Sequence, residues 1–419
     1  MALLVAILAL CLVPSGVGAQ GSVENPGQVG VMTRNLYLGA DLGPSLRASN
    51  LDNFVEANGG VLRQVTTNNF PVRAKGLAAE ILQEKPDLVG LQEVALWRTA
   101  KPPSLAPVLG GPKTATTVRY DFLELLLDEL NKGNQQYRTV VIQDEFDFEA
   151  PANENQVDGD CLASGGTPQT CDPVRGVPNA ELNGRLTMRD VILARVDADI
   201  KVSGQKKGHF EELFPAPILG TTVPVTRGWT QVDARMRGGP PFRFVNTHLE
   251  AFDTGSIRAQ QAQELIDGAA KSALPVVLLG DLNSDDDVKG DDQLAYLKLR
   301  DAGFEERSTG DPSSCCINSP DLREGEGGSV VDFDHQVDHI MTKAPVKVQL
   351  VESSVTGRSI QNGFWNSDHA GVFSLLRIPA ESEPDTETPP DSTSPEPDSP
   401  AGSEPDTETP QDSTPPESP

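Results

Sequence analysis

PVVLLGDLNS, Pro275 to Ser284, is a short apolar run that ends in polar side chains. Val276 to Leu279 reads as a strand, and it delivers Asp281 and Asn283 two residues apart at its end. Period-two alternation would point both side chains the same way, so that one orients or deprotonates a water while the other donates its amide to a phosphate oxygen. The structural alternative is a turn in which Asp281 and Asn283 satisfy nearby backbone groups.

Four further strings carry polar groups at plausible strand ends: LQEV at Leu91 to Val94, NTHL at Asn246 to Leu249, VDHI at Val337 to Ile340 and NSDHA at Asn366 to Ala370. Together they hold the parts that a magnesium-dependent phosphoester hydrolase must assemble. Glu93 follows the apolar stretch PDLVGLQ and is a hard oxygen ligand of the kind Mg²⁺ takes, or else a solvated strand-end acid. Asn35 ends a similar run and says little alone. Of five histidines, His248, His339 and His369 fall inside these strings. Neighbouring strand side chains diverge, so Asp368 does not orient His369. A carboxylate from another strand is the better partner, and Asp338 is available. His339 then points the opposite way and reads as a satisfied core or edge histidine, as do His335 and His209.

Around these strings strands and helices alternate. Strands are expected at Gly30 to Leu36, Leu88 to Gln92, Arg138 to Gln143, Val191 to Arg195, Trp229 to Met236, Phe242 to Thr247, Val276 to Leu279, Val337 to Met341 and Val372 to Leu376. Helices are expected at Gln64 to Gln83, Tyr120 to Leu130, Ser256 to Ser272 and Asp291 to Asp301. Trp97 to Thr117 reads as a loop and Asp144 to Asn183 as a surface insertion. Many strands, few helices and mixed connections suggest two mostly antiparallel sheets stacked face to face with helices outside. The 419 residues suit one large domain, about 25–379 with its insertion at about 144–185, plus appendages.

The appendages differ in composition. Residues 1–19 hold an uncharged apolar run followed by Pro14, Gly16 and small residues, which reads as a secretory signal peptide and places the protein outside the cell, in the periplasm or at the cell surface. Cys11 goes with it, leaving Cys161, Cys171, Cys315 and Cys316. An oxidising compartment permits disulfides: Cys161 with Cys171 across CLASGGTPQTC, and Cys315 with Cys316 or with other partners, free thiols being the alternative. No zinc-type spacing accompanies them. From residue 380 to 419 the chain is Pro, Ser, Thr and acidic residues, with SEPDTETP recurring, so it is expected to be disordered. It carries twelve acids and no Lys or Arg, leaving -15 of the net -27 for the rest. Such a chain is not held to nucleic acid by backbone electrostatics, although brief contact through a bound cation is compatible with it.

Asn35, Gln92-Glu93, Asn246 to His248, GDLN ending at Asn283, Val337-Asp338 and Ser367 to His369, in that order, resemble the endonuclease/exonuclease/phosphatase superfamily. The resemblance spans roughly Gly30 to Arg377, and its GDLN and SDH pieces are the most specific. It implies an α/β fold, a four-layer sandwich of two stacked mixed β-sheets flanked by helices, with the site at one rim. It implies that Glu93 holds a divalent cation, Mg²⁺ or in its place Mn²⁺ or Ca²⁺, with Asn35 beside it and Asp368 close to the metal side. Asp281 and Asn283 would position water and phosphate, and His248 would hydrogen-bond a non-bridging oxygen. His369, oriented by Asp338, would act as general base in an in-line attack or as a stabiliser of the phosphorane-like state, with Asp281 the other candidate base.

The expected activity is that of a monomeric phosphodiesterase without a stable nucleic-acid partner, with extracellular DNA as the leading substrate and phospholipid head groups as the alternative. A phosphomonoesterase is a further alternative. Two departures stand out. Many members carry a basic residue before the VDHI-like motif, where this chain has His335 and Gln336, so a phosphate-gripping cation is missing there. His248 should have a carboxylate partner, for which Asp190 is the candidate, with Arg189 as a phosphate contact. A lipid enzyme would want an exposed apolar hairpin, and GHFEELFPAPILG at Gly208 and NGFWNSD at Asn362 contain such residues. In the second, Phe364 and Trp365 could equally line the site. Two non-enzymatic readings compete: a secreted binding protein that has lost its chemistry, and an acidic tail that is itself the working part.

Overall fold

The computed structural model describes residues 27–155, 177, 179–252, 255–285, 293–308, 312–326 and 333–380. The expected signal segment, the Cys161 to Cys171 loop and the tail beyond residue 380 lie outside them. In chain order the elements are β1 (Gln28–Asn35), α1 (Gly43–Leu46), α2 (Leu51–Thr67), α3 (Phe70–Glu84), β2 (Leu88–Gln92), β3 (Leu96–Ala100), β4 (Thr117–Asp121), α4 (Phe122–Leu130), β5 (Tyr137–Ala152) and β6 (Leu182–Arg195). There follow β7 (Ile200–His209), β8 (Phe214–Ile218), β9 (Thr221–Val225), β10 (Gly228–Met236), β11 (Pro241–His248), α5 (Ser256–Asp267), β12 (Val276–Asp281), α6 (Leu294–Asp301), β13 (Glu305–Glu306), β14 (Asp338–Lys343), β15 (Gln349–Thr356) and β16 (Gly371–Arg377).

One sheet runs β15-β16-β1-β2-β6-β3-β4 with β5 along β6, and the other runs β13-β14-β12-β11-β10-β7. Each contains one parallel pair, β1 with β2 and β11 with β12, among antiparallel ones, so both sheets are mixed. Side-chain alternation builds the layers. Val29, Val31, Leu88 and Ile192 of the first sheet meet Val232, Phe244, Val277 and Leu279 of the second in one buried cluster. The opposite parity faces outward. Met32, Val89 and Leu91 cluster with Leu62, Leu77 and Leu126 of α2, α3 and α4. Val245, Leu278 and Met341 cluster with Leu265 and Leu299 of α5 and α6. The result is a four-layer α/β sandwich.

Two glycines record how tightly the layers fit. A Cβ on Gly90 would lie 2.3 Å from Leu279 Cδ1 and 2.5 Å from Asn246 Oδ1, so the sheets can approach there only over a bare backbone. Gly280, at φ 147°, would drive a Cβ to 1.9 Å from the Thr247 carbonyl on the neighbouring strand.

The elements depart from the sequence reading in particular places. The helix expected at Gln64 to Gln83 is two helices, broken at Asn69, whose φ is 38°. Pro71 sits in the first turn of α3, where its missing N–H costs nothing. The expected loop at Trp97 to Thr117 begins and ends in strands β3 and β4. Residues 144–152 and 182–185, read as insertion, continue β5 and β6 in one long antiparallel ladder. Its polar side chains pair with each other at the sheet, as Arg185 does with Asp147, so the hydrophobic alternation that marks a strand is lost. Helix α5 stops at Asp267 before Gly268 rather than at Ser272. The hairpin β8–β9 turns at Leu219 and Gly220, and its Ala216, Ile218 and Val225 are buried in the core rather than exposed.

Candidate active site

Strands β1, β2, β11 and β12 end at one rim of the sandwich. Strands β14 and β16 run antiparallel to β12 and β1 and begin at that rim. The ladders set the neighbours: Asn35 opposite Gln92, His248 opposite Asp281 and Asp281 opposite Asp338. The loop before β16 is tied down from below. Arg34 pairs with Glu80 and donates from Nη1 to the His369 carbonyl at 2.5 Å, and Ser367 Oγ donates to the Asn35 carbonyl at 2.9 Å. Asn366 Nδ2 donates to Glu80 at 2.6 Å, while its carbonyl accepts from Arg73 at 2.8 Å. Gln92 and Asn246 serve similarly between the sheets, joined by a 2.6 Å hydrogen bond.

Within this frame His369 lies between two acids. Its Nδ1 is 2.8 Å from Asp338 Oδ2, and its Nε2 is 3.7 Å from Asp281 Oδ2. Burial would lower its pKa, but Asp338 and Asp281, with Asp368 adjoining, hold it well above the ordinary histidine range. Asp281 Oδ2 also accepts from Asn35 Nδ2 at 2.9 Å and lies 3.4 Å from His248 Nε2. Burial raises the Asp281 pKa, opposed by the charge of His369. The other oxygen, Oδ1, accepts the Asn283 N–H at 2.9 Å, which is the turn alternative realised. Because β12 ends at Asp281 and Asn283 is left-handed at φ 47°, strand alternation does not carry to Asn283, whose amide donates to the Leu249 carbonyl.

Glu93 and Asp368 face each other across a cleft of about 170 Å³, lined also by Tyr37, Arg227 and apolar Leu42, Leu46, Phe146, Met188 and Phe252. Glu93 is left-handed at φ 55°, and its Oε2 accepts the Leu38 N–H at 2.7 Å. Burial raises its pKa. Burial, with Glu93 adding its repulsion, raises Asp368 to about 6. Two partly exposed carboxylates on one cleft form a cradle of hard oxygen donors suited to a divalent cation. Asn35, at the floor, is fully buried and committed to Asp281 and to the Tyr37 N–H, so it positions Asp281 from beneath. Asp281, Asp338 and His369 also lie close enough to share an ion, but the Asp338 and His369 atoms there already bond each other.

Other candidates have structural partners. His339 bonds Glu306 and the Ser284 carbonyl, and it is fully buried. His335 pairs with Asp285 and His209 with the Asp144 carbonyl, both half-exposed. Arg189 does not reach the cleft: it is spent on Asp121 and on the Val94 carbonyl. Asp190 makes no hydrogen bond to the His248 ring; its buried carboxylate interacts with the His248 backbone N–H instead. Its pKa is raised well above the ordinary range, chiefly by burial. The ring's neighbour is instead Arg227, whose Nη1 lies 3.0 Å from Nδ1 and 3.4 Å from Nε2. Burial and Arg227 together push the His248 pKa well below its usual value. Trp365 is buried against Phe333 beside the site. Cys315 and Cys316 are joined to one another, and Cys316 Sγ lies 3.8 Å from His369 Nε2. Arg227 did not stand out in the sequence, and Cys316 did so only as a disulfide candidate, not as a neighbour of His369. The sole sign of Arg227 was its place just before an expected strand.

The model of the Endonuclease/Exonuclease/phosphatase family matches residues 50–369, most of the chain. The chain belongs to the endonuclease/exonuclease/phosphatase family. As a member, it is a metal-dependent phosphoester hydrolase. Solved structures of low identity resemble it. An endonuclease/exonuclease/phosphatase from Beutenbergia cavernae DSM 12333 is 17% identical with a TM-score of 0.46, over 84% of this chain and 72% of that one. A family protein from Leptotrichia buccalis C-1013-b is 13% identical (TM-score 0.45) and a mannosyl-6-phosphatase from Bacteroides thetaiotaomicron VPI-5482 is 15% identical (TM-score 0.44), each over 84% of this chain and all of the other. No curated protein matches this endonuclease/exonuclease/phosphatase chain.

Proposed function

We propose that the protein is an exported, magnesium-dependent phosphodiesterase that cleaves DNA outside the cell. The observation that carries the hydrolytic reading is the position of Asp281, held by Asn35 and set between His248 and His369, beside the Glu93 and Asp368 cradle. A cation held by Glu93 and Asp368 would neutralise phosphate charge and acidify the attacking water. Asp281, a carboxylate whose pKa burial raises, takes the water proton. The sequence reading favoured His369 as base. Flanked by two acids and held protonated, it instead supplies positive charge to the developing phosphorane and a proton to the leaving oxygen. His248, neutral, donates to a non-bridging oxygen.

Glu93 and Asp368 reach solvent, so a polymer backbone can cross the rim without entering a closed cavity, which supports DNA. A second reading, a phospholipid head group, is favoured by the apolar wall of the cleft, where Phe252 is 40% exposed. Monomeric action fits either substrate. The test is Mg²⁺-dependent hydrolysis of plasmid DNA, sphingomyelin liposomes and bis-p-nitrophenyl phosphate, with His369→Ala as control. DNA nicking lost in the variant supports the nuclease, liposome cleavage moves the reading to lipids, and silence on all three sinks both.

A further inference from the structure

We propose that Cys315, Cys316 and His369 form a second metal site, selective for Zn²⁺, which opens when the Cys315–Cys316 bond is reduced and which arrests hydrolysis by holding His369 Nε2. Binding rests on the ligands alone, and only its consequence for turnover rests on the hydrolase reading. Cys316 Sγ lies 3.8 Å from His369 Nε2, and the two sulfurs and a ring nitrogen all lie within 4.8 Å of one another. Backbone bonds place them there. The Ile317 N–H donates to the Asp368 carbonyl at 2.9 Å and the Ala370 N–H to the Ser314 carbonyl at 2.7 Å, so the cysteines are strapped on both sides to the loop that carries His369. Ser314 and Cys315 both donate to the His335 carbonyl, and the Asp338 N–H donates to Ser314 Oγ. None of these bonds passes through sulfur, so the juxtaposition outlasts reduction.

Two thiolates and an imidazole are a donor set that takes Zn²⁺ and leaves hard Mg²⁺ to the carboxylates of Glu93 and Asp368. The ring is already oriented as metal-bound histidines are, with Nδ1 tied to Asp338 at 2.8 Å and Nε2 left as the ligand. Three protein ligands leave the fourth tetrahedral position to water. The lack of zinc-type spacing in the sequence does not bear on this set, because its histidine comes from the distant segment before β16. In the oxidised protein the sulfurs are bonded to each other and cannot serve as thiolates. A dithiol reductant supplies the two electrons and two protons that convert the S–S bond to two thiols, and closes its own disulfide in doing so. Zn²⁺ then displaces both thiol protons and the proton on Nε2. Both cysteines are partly exposed, so reductant and ion can reach them.

The alternative is that the Cys315–Cys316 bond is a structural link whose freed thiols bind nothing. Full-length protein carrying Cys11→Ala, Cys161→Ala and Cys171→Ala keeps this pair as its only cysteines. It is compared oxidised and after reduction by a dithiol that is then removed without air, with thermal melting to follow the fold. Zn²⁺ is titrated against a chromophoric chelator, Co²⁺ serves as a spectroscopic stand-in, and hydrolysis of bis-p-nitrophenyl phosphate is followed in excess Mg²⁺. The expected result is one Zn²⁺ per reduced chain, held on the order of 100-fold or more tighter than by the oxidised chain, with a thiolate-to-cobalt charge-transfer band. That one equivalent stops turnover. Asp338→Asn, which frees the ring, should weaken Zn²⁺ binding roughly 10- to 100-fold. Equal Zn²⁺ affinity in the two redox states, a missing band, or a reduced protein that loses its fold overturns the inference, and full turnover with the site filled overturns the arrest. Reduced protein that binds Zn²⁺ through its thiolates but never cleaves the ester with Mg²⁺ counts against the hydrolase reading and for the metal site.

Discussion

Asp281 and Asp338 stand opposite one another in the ladder of β12 and β14, and His369 lies against both, 2.8 Å from Asp338 and 3.7 Å from Asp281. A ring between two buried carboxylates is stabilised as a cation. Because its folded pKa is raised, protonation of His369 contributes stability that is complete below the ordinary value of about 6.5 and is lost as pH rises through the folded value. Asp338→Asn should flatten that descent in metal-free protein, bring the ring's titration in NMR spectra down toward the ordinary range, and lower kcat on the order of 10²- to 10⁴-fold. An unmoved ring titration would remove Asp338 from this role.

Asp368 carries the opposite kind of charge, and its pKa is raised too. Burial and Glu93 lift it from 3.8 to about 6, so its ionised form is disfavoured in the fold. With chelator present, stability from this group is present below pH 3.8 and lost as pH climbs through about 6. Asp368→Asn is expected to melt higher than wild type at pH 7 without metal, and to lose most of the rise in melting temperature that Mg²⁺ gives wild type. A variant that keeps the full Mg²⁺-induced rise would place the cation elsewhere.

The close approach of the sheets at Gly90 makes a third expectation. Gly90→Ala would force Leu279 and Asn246 aside and break the Gln92 to Asn246 bond, costing roughly 1–3 kcal/mol. Urea unfolding measures it. A midpoint equal to wild type would mean that the sheets can separate freely there.

The layers were legible because the central strands are apolar on both faces, as Val276 to Leu279 are, and because short polar strings mark where they end. The β5–β6 ladder was not, since its cross-strand Arg and Asp pairs erase the alternation that strand recognition relies on. In the site, carboxylates and histidines at strand ends announced themselves by type and order. Asn283 misled, because alternation was carried two residues past the end of β12. Arg227 escaped notice because nothing local marks an arginine in a short connection between strands; only the ladder that sets Gly228 against His248 brings it to the site.

Cys316 brings sulfur to within 3.8 Å of His369 Nε2, and both Cys315 and Cys316 are partly exposed, so a small reductant can reach them. A bulky group on Cys316 would occupy the space where a leaving oxygen must meet the ring. In a Cys161→Ala, Cys171→Ala background, iodoacetamide alone should leave hydrolysis unchanged. Reduction by a dithiol followed by iodoacetamide should label both remaining cysteines by mass spectrometry and reduce kcat on the order of 10²-fold or more, as loss of an acid–base partner does. Added Glu93→Gln would give the same kinetic loss without labelling, so the two effects are separable. Full turnover by doubly labelled protein would mean that the Cys316 side of His369 does not face the substrate.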